Sequence, residues 1–291
     1  MITEEDFEAL ASSVDRRATW GADDQFGALH FITAAASAAA AHEVQTGKVV
    51  SCAARSRGSL VAINTSIDAA DAWSAVNESL VLQQHGLASM THFDGLGHFF
   101  YQGRSHAGVP DTAVGPHGVS SLDVVPASGG IVGRGLLLDL PAMVGEPFVP
   151  LDRDVRIDEV RGWLETAGVE AHAGDILFVR TGAPVAPRAP MGLPAVGSLD
   201  LDCVPWVFDS RFSVIVSDAG LDSPRAIVER VATPWHILAI TRMGVSLVDF
   251  ADLEGLAAAC AAVGRTTFLA AIGVLPLVGS TASPVNPMAV L

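Results

Sequence analysis

The chain has only three cysteines, Cys52, Cys203 and Cys260, and they are widely spaced and odd in number. That pattern fits neither a disulfide framework nor a Cys-x-x-Cys zinc or redox site, so the three read as small buried hydrophobes. Basic residues are also scarce, with 17 Lys and Arg against 32 Asp and Glu and a formal net charge of −15. A field of that sign repels phosphate backbones and anionic lipid, which excludes nucleic acid as an expected partner. No uninterrupted apolar stretch of about 20 residues occurs, because polar residues, Gly or Pro break every candidate, so no membrane span is expected. The opening residues Met1-Ile2-Thr3-Glu4-Glu5-Asp6 are acidic and lack the basic-then-apolar order of a secretory signal, so a cytoplasmic location is expected.

What the chain has in quantity is apolar surface, half of its 291 residues, enough for a sizeable core. Thr33 to Thr46 is alanine-rich, with a Thr to cap it and Gly47 beyond its end, which predicts a helix. Segments 48–53 and 59–64 predict short strands. Gly135 to Asp139 and Asp175 to Thr181 predict strands, and between them Ile157, Val160, Trp163 and Leu164 recur at helical spacing before Gly168. Strand, helix and strand in that order predict parallel pairing in an α/β layer. Phe212 to Asp218 predicts another buried strand, Leu253 to Val263 a second alanine-rich helix, and Phe268 to Pro276 a last strand. Residues 183–200 hold Pro184, Pro187, Pro190, Gly192, Pro194 and Gly197, too many breakers for regular structure, and predict a long surface loop. No repeat, charge block or composition shift marks a border, so one domain over 1–291 is expected, with 1–32 as an amino-terminal arm.

The chemistry concentrates in Thr91-His92-Phe93-Asp94-Gly95-Leu96-Gly97-His98. On an extended backbone His92 and Asp94 face the same way about 6 to 7 Å apart, a spacing that suits a shared cation. Gly95 and Gly97 permit a tight turn that swings His98 back toward the same point. Imidazole with carboxylate favours zinc, manganese or iron over calcium. The bland alternative is a set of ordinary polar residues at a strand end, but Phe93, Leu96, Phe99 and Phe100 make the neighbourhood apolar, and unpaired polar groups are costly there. Elsewhere His42, His117 and His172 fall among polar or turn residues and are expected to face solvent. Asp139 and Asp218 end strands and are expected to be structural, and Arg134 and Arg180 to tie strands through carboxylates.

These residues also carry a resemblance. The run Thr91-His92-Phe93-Asp94 with His98 resembles the H-x-G-T-H-x-D-x-x-x-H signature of the cyclase-like metal hydrolase family that includes bacterial kynurenine formamidase and isatin hydrolase. Trp20-Gly21-Ala22-Asp23-Asp24-Gln25-Phe26-Gly27, Gly133 to Asp139, Gly174 to Leu177 with Arg180-Thr181-Gly182, and Ser283 to Pro287 resemble further family blocks in the same order. The resemblance implies a mixed β-sheet core flanked by helices, the swivelling β/β/α cyclase-like fold. It implies a metal set of His92, Asp94, His98, His236 and Asp249, with His98 and Asp249 also catalytic. The cation expected is divalent, zinc first and manganese as the alternative. Asp249 stands where the family usually has a glutamate, one methylene longer. The signature's first histidine falls on Ala88, so His85 becomes a substitute candidate, and the site would hold one ion or two. His30 stands where the family often shows asparagine, and Ser105-His106 where close relatives carry Tyr-Asn.

The expected activity is hydrolysis of a small-molecule carbonyl, an aryl formamide, lactam or lactone, with water activated by the cation. Phe93, Phe99, Phe100 and Tyr101, with Trp73, are candidates to hold a flat apolar substrate. The alternatives are a metal-dependent cyclase, dehydratase or isomerase acting on a polyketide-like compound, and a non-catalytic small-molecule binder. A homodimer or homotetramer is expected, as in relatives.

Overall fold

The computed structural model describes residues 2–55, 59–65, 75–81, 90–189 and 192–291. Its strands in chain order are β1 (Val49–Ser51), β2 (Ser59–Thr65), β3 (Ala75–Val81), β4 (His92–Asp94), β5 (Val114–Gly115), β6 (Gly118–Val119), β7 (Ile131–Asp139), β8 (Ile176–Arg180), β9 (Val214–Ser217), β10 (Ser246–Asp249), β11 (Thr267–Ile272), β12 (Ala282–Pro284) and β13 (Met288–Val290). The helices are α1 (Glu4–Ser13), α2 (Ala34–Ala40), α3 (Leu140–Val144), α4 (Ile157–Ala167), α5 (Val204–Ser210), α6 (Pro234–His236) and α7 (Glu254–Val263).

Nine strands form one mixed sheet in the order β1-β13-β11-β7-β8-β9-β10-β4-β12. Its centre, β7 to β10, is parallel, and the strands outside it pair antiparallel. Hairpins β2–β3 and β5–β6 stand apart from it. The central strands are nearly continuous apolar runs because both their faces are covered, as parallel sheets require. Alternate residues enter two cores. Leu136, Leu138, Leu177, Val179, Ile215 and Leu247 join the side that also buries Phe7 of α1 and Leu164 of α4. Leu137, Ile176, Phe178, Val214, Val216 and Val248 join the side covered by Leu256 and Cys260 of α7.

Local chemistry accounts for the ends of the elements. The Thr33 hydroxyl accepts from the Ala36 amide to cap α2, which stops at Ala40 and tightens into a 3-10 turn over Ala41–Glu43, earlier than the alanine run predicts. Gly168 closes α4 in the left-handed region with φ +64°, where a side chain would be strained. The last long strand ends at Ile272 rather than Pro276. Two helices have little sequence signal. Helix α5 is built from Val204, Pro205, Trp206, Val207 and Phe208, weak helix formers that pack well. After α6 the chain continues as a π-helix over Ile237–Met243, buried throughout.

Residues 1–32, expected as an arm, contain α1, whose Phe7 and Ala11 are fully buried. Segment 183–200 has no helix or strand among its described residues, but Ala183, Val196, Ser198 and Leu199 are buried, so much of it lies in the protein rather than on its surface. No helix among the described residues is long and apolar enough to cross a membrane.

Candidate metal centre

The site is assembled by strand register. In the antiparallel pair of β4 and β10, His92 lies opposite Asp249 and Asp94 opposite Leu247. Directly opposed residues project from the same face, so one pairing brings together side chains from distant parts of the sequence. One ligand atom each from His92, Asp94 and Asp249 lie within 4.8 Å of one another, and all three residues are buried. His92 Nδ1 lies 2.8 Å from the Met90 carbonyl oxygen, which leaves Nε2 directed at Asp94 Oδ1, 3.5 Å away.

His98 returns to the same point through the glycine turn. Its amide donates to the Gly95 carbonyl at 3.0 Å. A Cβ at Gly97 would stand 2.7 Å from the Leu122 carbonyl oxygen, so the turn admits no side chain there. His98 Nε2 then lies 3.6 Å from Asp94 Oδ2, with its side chain 19% exposed against 1% for Asp94. His236, at the end of α6, places Nε2 3.0 Å from Asp249 Oδ2 and Nδ1 2.5 Å from Asp222 Oδ2. The five residues expected from the sequence are thus neighbours: His92, Asp94 and Asp249 form the tight cluster, and His98 and His236 each contact one of its carboxylates.

Two features of the cluster call for a cation. Asp94 Oδ1 and Asp249 Oδ1 are buried and accept no hydrogen bond among the described residues. An unpartnered buried carboxylate oxygen is expensive, and divalent transition-metal ions such as zinc are held by such oxygens together with imidazole. The donor set therefore fits a divalent metal. The titration pattern agrees. Burial, and then the neighbouring Asp249 charge, push Asp94 well above the usual carboxylate range against the pull of His236. Burial also raises Asp249, but the His236 charge and hydrogen bond, with His92 and His98, outweigh it and hold Asp249 low. Burial lowers His236, yet Asp249 and Asp222 together carry it well above the ordinary imidazole value. Without a cation, protons do the neutralising.

The aromatic residues divide differently from expectation. Phe99 lies beside the site, its ring 4.8 Å from that of His236. Phe93 does not: it is 1% exposed and packs into the α7-side core, because its neighbours His92 and Asp94 take the other face of the strand. Tyr101 points its hydroxyl at Glu8 of α1. His85, Ala88 and Trp73 lie outside the described residues.

Other sequence candidates are structural. Asp139 caps α3 and pairs with Arg180, which also grips Glu254. Asp218 accepts from the Thr181 hydroxyl and from the amides of Thr181, Gly182 and Ala183. Arg134 pairs with Asp175. His42, His117 and His172 are exposed. All three cysteines are buried, and burial pushes the thiols of Cys52 and Cys260 up to about 12, so none is a ready nucleophile.

Two features were not singled out from the sequence. Asp222 follows β9 in the turn Gly220-Leu221-Asp222-Ser223, and an acid just beyond the carboxyl end of a parallel strand was the available signal. The second is a cluster around Asp24, whose carboxylate accepts from the amides of Phe26 and Gly27 and meets His30 Nε2 at 2.8 Å and His106 Nε2 at 3.1 Å.

A mixed sheet with two buried faces and a His/Asp cluster at β4 and β10 defines an α/β protein with a candidate divalent-metal site. A family model named Cyclase, described as Putative cyclase, matches residues 61–221, more than half of the chain, and the chain belongs to that family. A solved structure described as a novel cyclase is similar along 97% of this chain and 99% of its own, at 26% identity and a TM-score of 0.83. Isatin hydrolase A from Labrenzia aggregata, bound to benzyl benzoate, is 15% identical over 83% of this chain and 93% of its own, with a TM-score of 0.56. Isatin hydrolase A from Ralstonia solanacearum is 17% identical over 83% and 91%, with a TM-score of 0.53. At those identities the two hydrolases share the fold. No curated protein matches the chain.

Proposed function

We propose that the chain is a divalent-metal-dependent hydrolase acting on the carbonyl of a small cyclic or aryl amide, a formamide or lactam, or of a lactone. One observation carries this reading: two buried carboxylate oxygens, Asp94 Oδ1 and Asp249 Oδ1, stand beside His92 and accept no hydrogen bond among the described residues. His92, Asp94 and Asp249 would hold the ion, with His98 and His236 completing the set. When bound, such an ion supplies a Lewis acid and lowers the pKa of water toward neutrality. Zinc is the first choice for this donor set and manganese the second.

The chain's own residues supply the rest. With His236 Nε2 turned to the ion, Asp249 Oδ2, 3.0 Å from that nitrogen, would be placed to accept a proton from the attacking water. His98 is the most open member of the set and lies one contact from Asp94, so its Nε2 either joins the ion or, left off it, would carry a proton to the leaving group. Phe99 presents an apolar ring over His236, which favours a flat substrate and limits water. The two isatin hydrolases of the same fold are named for isatin, a cyclic amide, which is in keeping with this substrate class.

A second reading keeps the ion and changes the outcome to ring closure, dehydration or isomerisation, and the cyclase description of the family favours it. The purified protein, loaded with zinc or manganese, is to be screened against N-formyl anilines, isatin-like lactams and unsaturated lactones. Appearance of a new acid with uptake of water supports hydrolysis, and a product isomeric with the substrate or lacking one water supports the second reading. His92→Ala is expected to lose both metal and turnover. Full activity in a metal-free His92→Ala protein would refute the scheme.

A further inference from the structure

We infer that Asp222 is a positioning residue for the metal centre: it orients His236 and holds the proton on Nδ1, so that Nε2 is the nitrogen presented to the ion. This rests on the proposed metal-dependent reading and adds to it a residue outside the ligand set.

The contacts are specific. Asp222 Oδ2 lies 2.5 Å from His236 Nδ1, and His236 Nε2 lies 3.0 Å from Asp249 Oδ2. The ring is therefore strung between an outer carboxylate and a carboxylate of the cluster. An imidazole that donates from one nitrogen to a carboxylate offers the other as a lone pair, with its rotation about both side-chain torsions restrained. The same Asp222 also accepts from the Trp235 amide at 2.8 Å and from the His236 amide at 3.2 Å. It thus binds both the ring and the backbone that carries it. Thr233, at the capping position of α6, makes no side-chain cap, so Asp222 serves the free amides of that turn from outside the helix. Helix α6 spans three residues, and immediately beyond it runs the buried π-helix Ile237–Met243. His236 lies in the first turn of this continuous helical segment, and Asp222 fixes both its ring and its backbone there.

The bland alternative is that Asp222 only caps the turn. The two roles separate in Asp222→Asn, whose amide oxygen can still accept from the Trp235 amide but whose NH2 group, standing in for Oδ2, cannot accept Nδ1–H or anchor it with a charge. Metal affinity is to be measured by chelator competition with zinc, alongside thermal melting of the metal-free protein. A nitrogen-15 spectrum of the cadmium-loaded protein would identify the nitrogen of His236 that binds. For Asp222→Asn the expectation is affinity weakened about 10- to 100-fold, the range for loss of such an outer partner, with a mixed or altered His236 signal. Asp222→Glu should recover part of the affinity by restoring the charge. An Asn variant that melts lower but binds zinc with wild-type affinity and through the same nitrogen would reduce Asp222 to a cap and overturn the inference. If the wild-type protein itself binds no divalent ion, the metal-dependent reading fails instead.

Discussion

Among the described residues, the cluster around Asp24 and the metal centre both join histidine to aspartate, and they are built in opposite ways. Around Asp24, every carboxylate oxygen is used: the Phe26 amide and His30 meet Oδ1, and the Gly27 amide and His106 meet Oδ2. At the metal centre, Asp94 and Asp249 each keep one buried oxygen without a hydrogen bond. A satisfied carboxylate is a fastener, whereas an unsatisfied pair in an apolar interior is a receptor for positive charge. Composition alone does not tell the two apart, since each is an Asp with histidines and aromatics nearby. Partner accounting at the carboxylate oxygens does, even though His106 Nδ1 of the Asp24 cluster is also buried without a hydrogen bond among the described residues.

The strongest way to break this contrast is to neutralise one carboxylate in each cluster. Asp94→Asn removes charge from the receptor, and we expect zinc affinity to fall at least about a thousandfold, roughly 4 kcal/mol, with turnover lost. The metal-free protein should fold as well as wild type or better, because a neutral amide there needs no bound proton to avoid a buried charge. Asp24→Ala should do the reverse. It strips four contacts and leaves the amides of Phe26 and Gly27 open, for a loss of about 2 to 4 kcal/mol in stability, while zinc content per folded molecule stays at the wild-type value. Denaturant melts and elemental analysis of the two variants decide the matter, and a large metal loss in Asp24→Ala would merge the two clusters into one functional unit.

The difference was only half visible in the sequence. His92, Asp94 and His98 were legible because period-two alternation and two glycines are local rules. The parallel strands β7, β8 and β9 were legible as bounded apolar runs, whereas β10 was not. Asp249 was reached by resemblance rather than by physics, since nothing local says that β10 will lie antiparallel to β4. The error over Phe93 was avoidable: the alternation that puts His92 and Asp94 together also sends Phe93 to the opposite core. Asp222 was illegible because its partner His236 is reached only after the chain has turned through a loop and entered α6. Helix α5 was missed because its residues favour strands, and burial rather than propensity makes it helical.

Acid and base should also separate the clusters, with a smaller effect. Burial and Asp249 raise Asp94 above its ordinary 3.8, so the folded metal-free protein binds that proton more tightly than the unfolded chain. Its contribution is present at low pH and is lost as pH rises from about 4 through the raised value. Asp24 is the mirror case. Burial raises it, but the Phe26 and Gly27 amides with His30 and His106 prevail and lower it from 3.8. Its contribution is present above about 4 and is lost as pH falls below. Melting temperatures of metal-free protein should therefore decline on the alkaline side in wild type and decline less in Asp94→Asn, while Asp24→Ala flattens the acid limb. Zinc affinity should climb by up to about tenfold per pH unit for each proton the ion displaces. Affinity independent of pH would show that Asp94 and His236 carry no displaceable protons.

The finest distinction lies within the Asp24 cluster, between its two histidines. His106 is fully buried, with its ring against Gly244, where an added Cβ would come within 2.6 Å of Cε1. His30 has a side chain 41% exposed and stacks on Trp20 with ring centroids 5.3 Å apart. Both touch Asp24, but only one does so away from water, and screening reduces an exposed pair to about 0 to 1 kcal/mol. His30→Ala should therefore cost about 0.5 to 1 kcal/mol, most of it from the lost ring contact with Trp20, and should leave zinc binding untouched. His106→Ala is expected to cost several times more, because it opens a cavity and leaves Asp24 Oδ2 with only the Gly27 amide in the interior. Equal costs for the two would mean that the carboxylate contact, and not burial, sets the strength of the fastener.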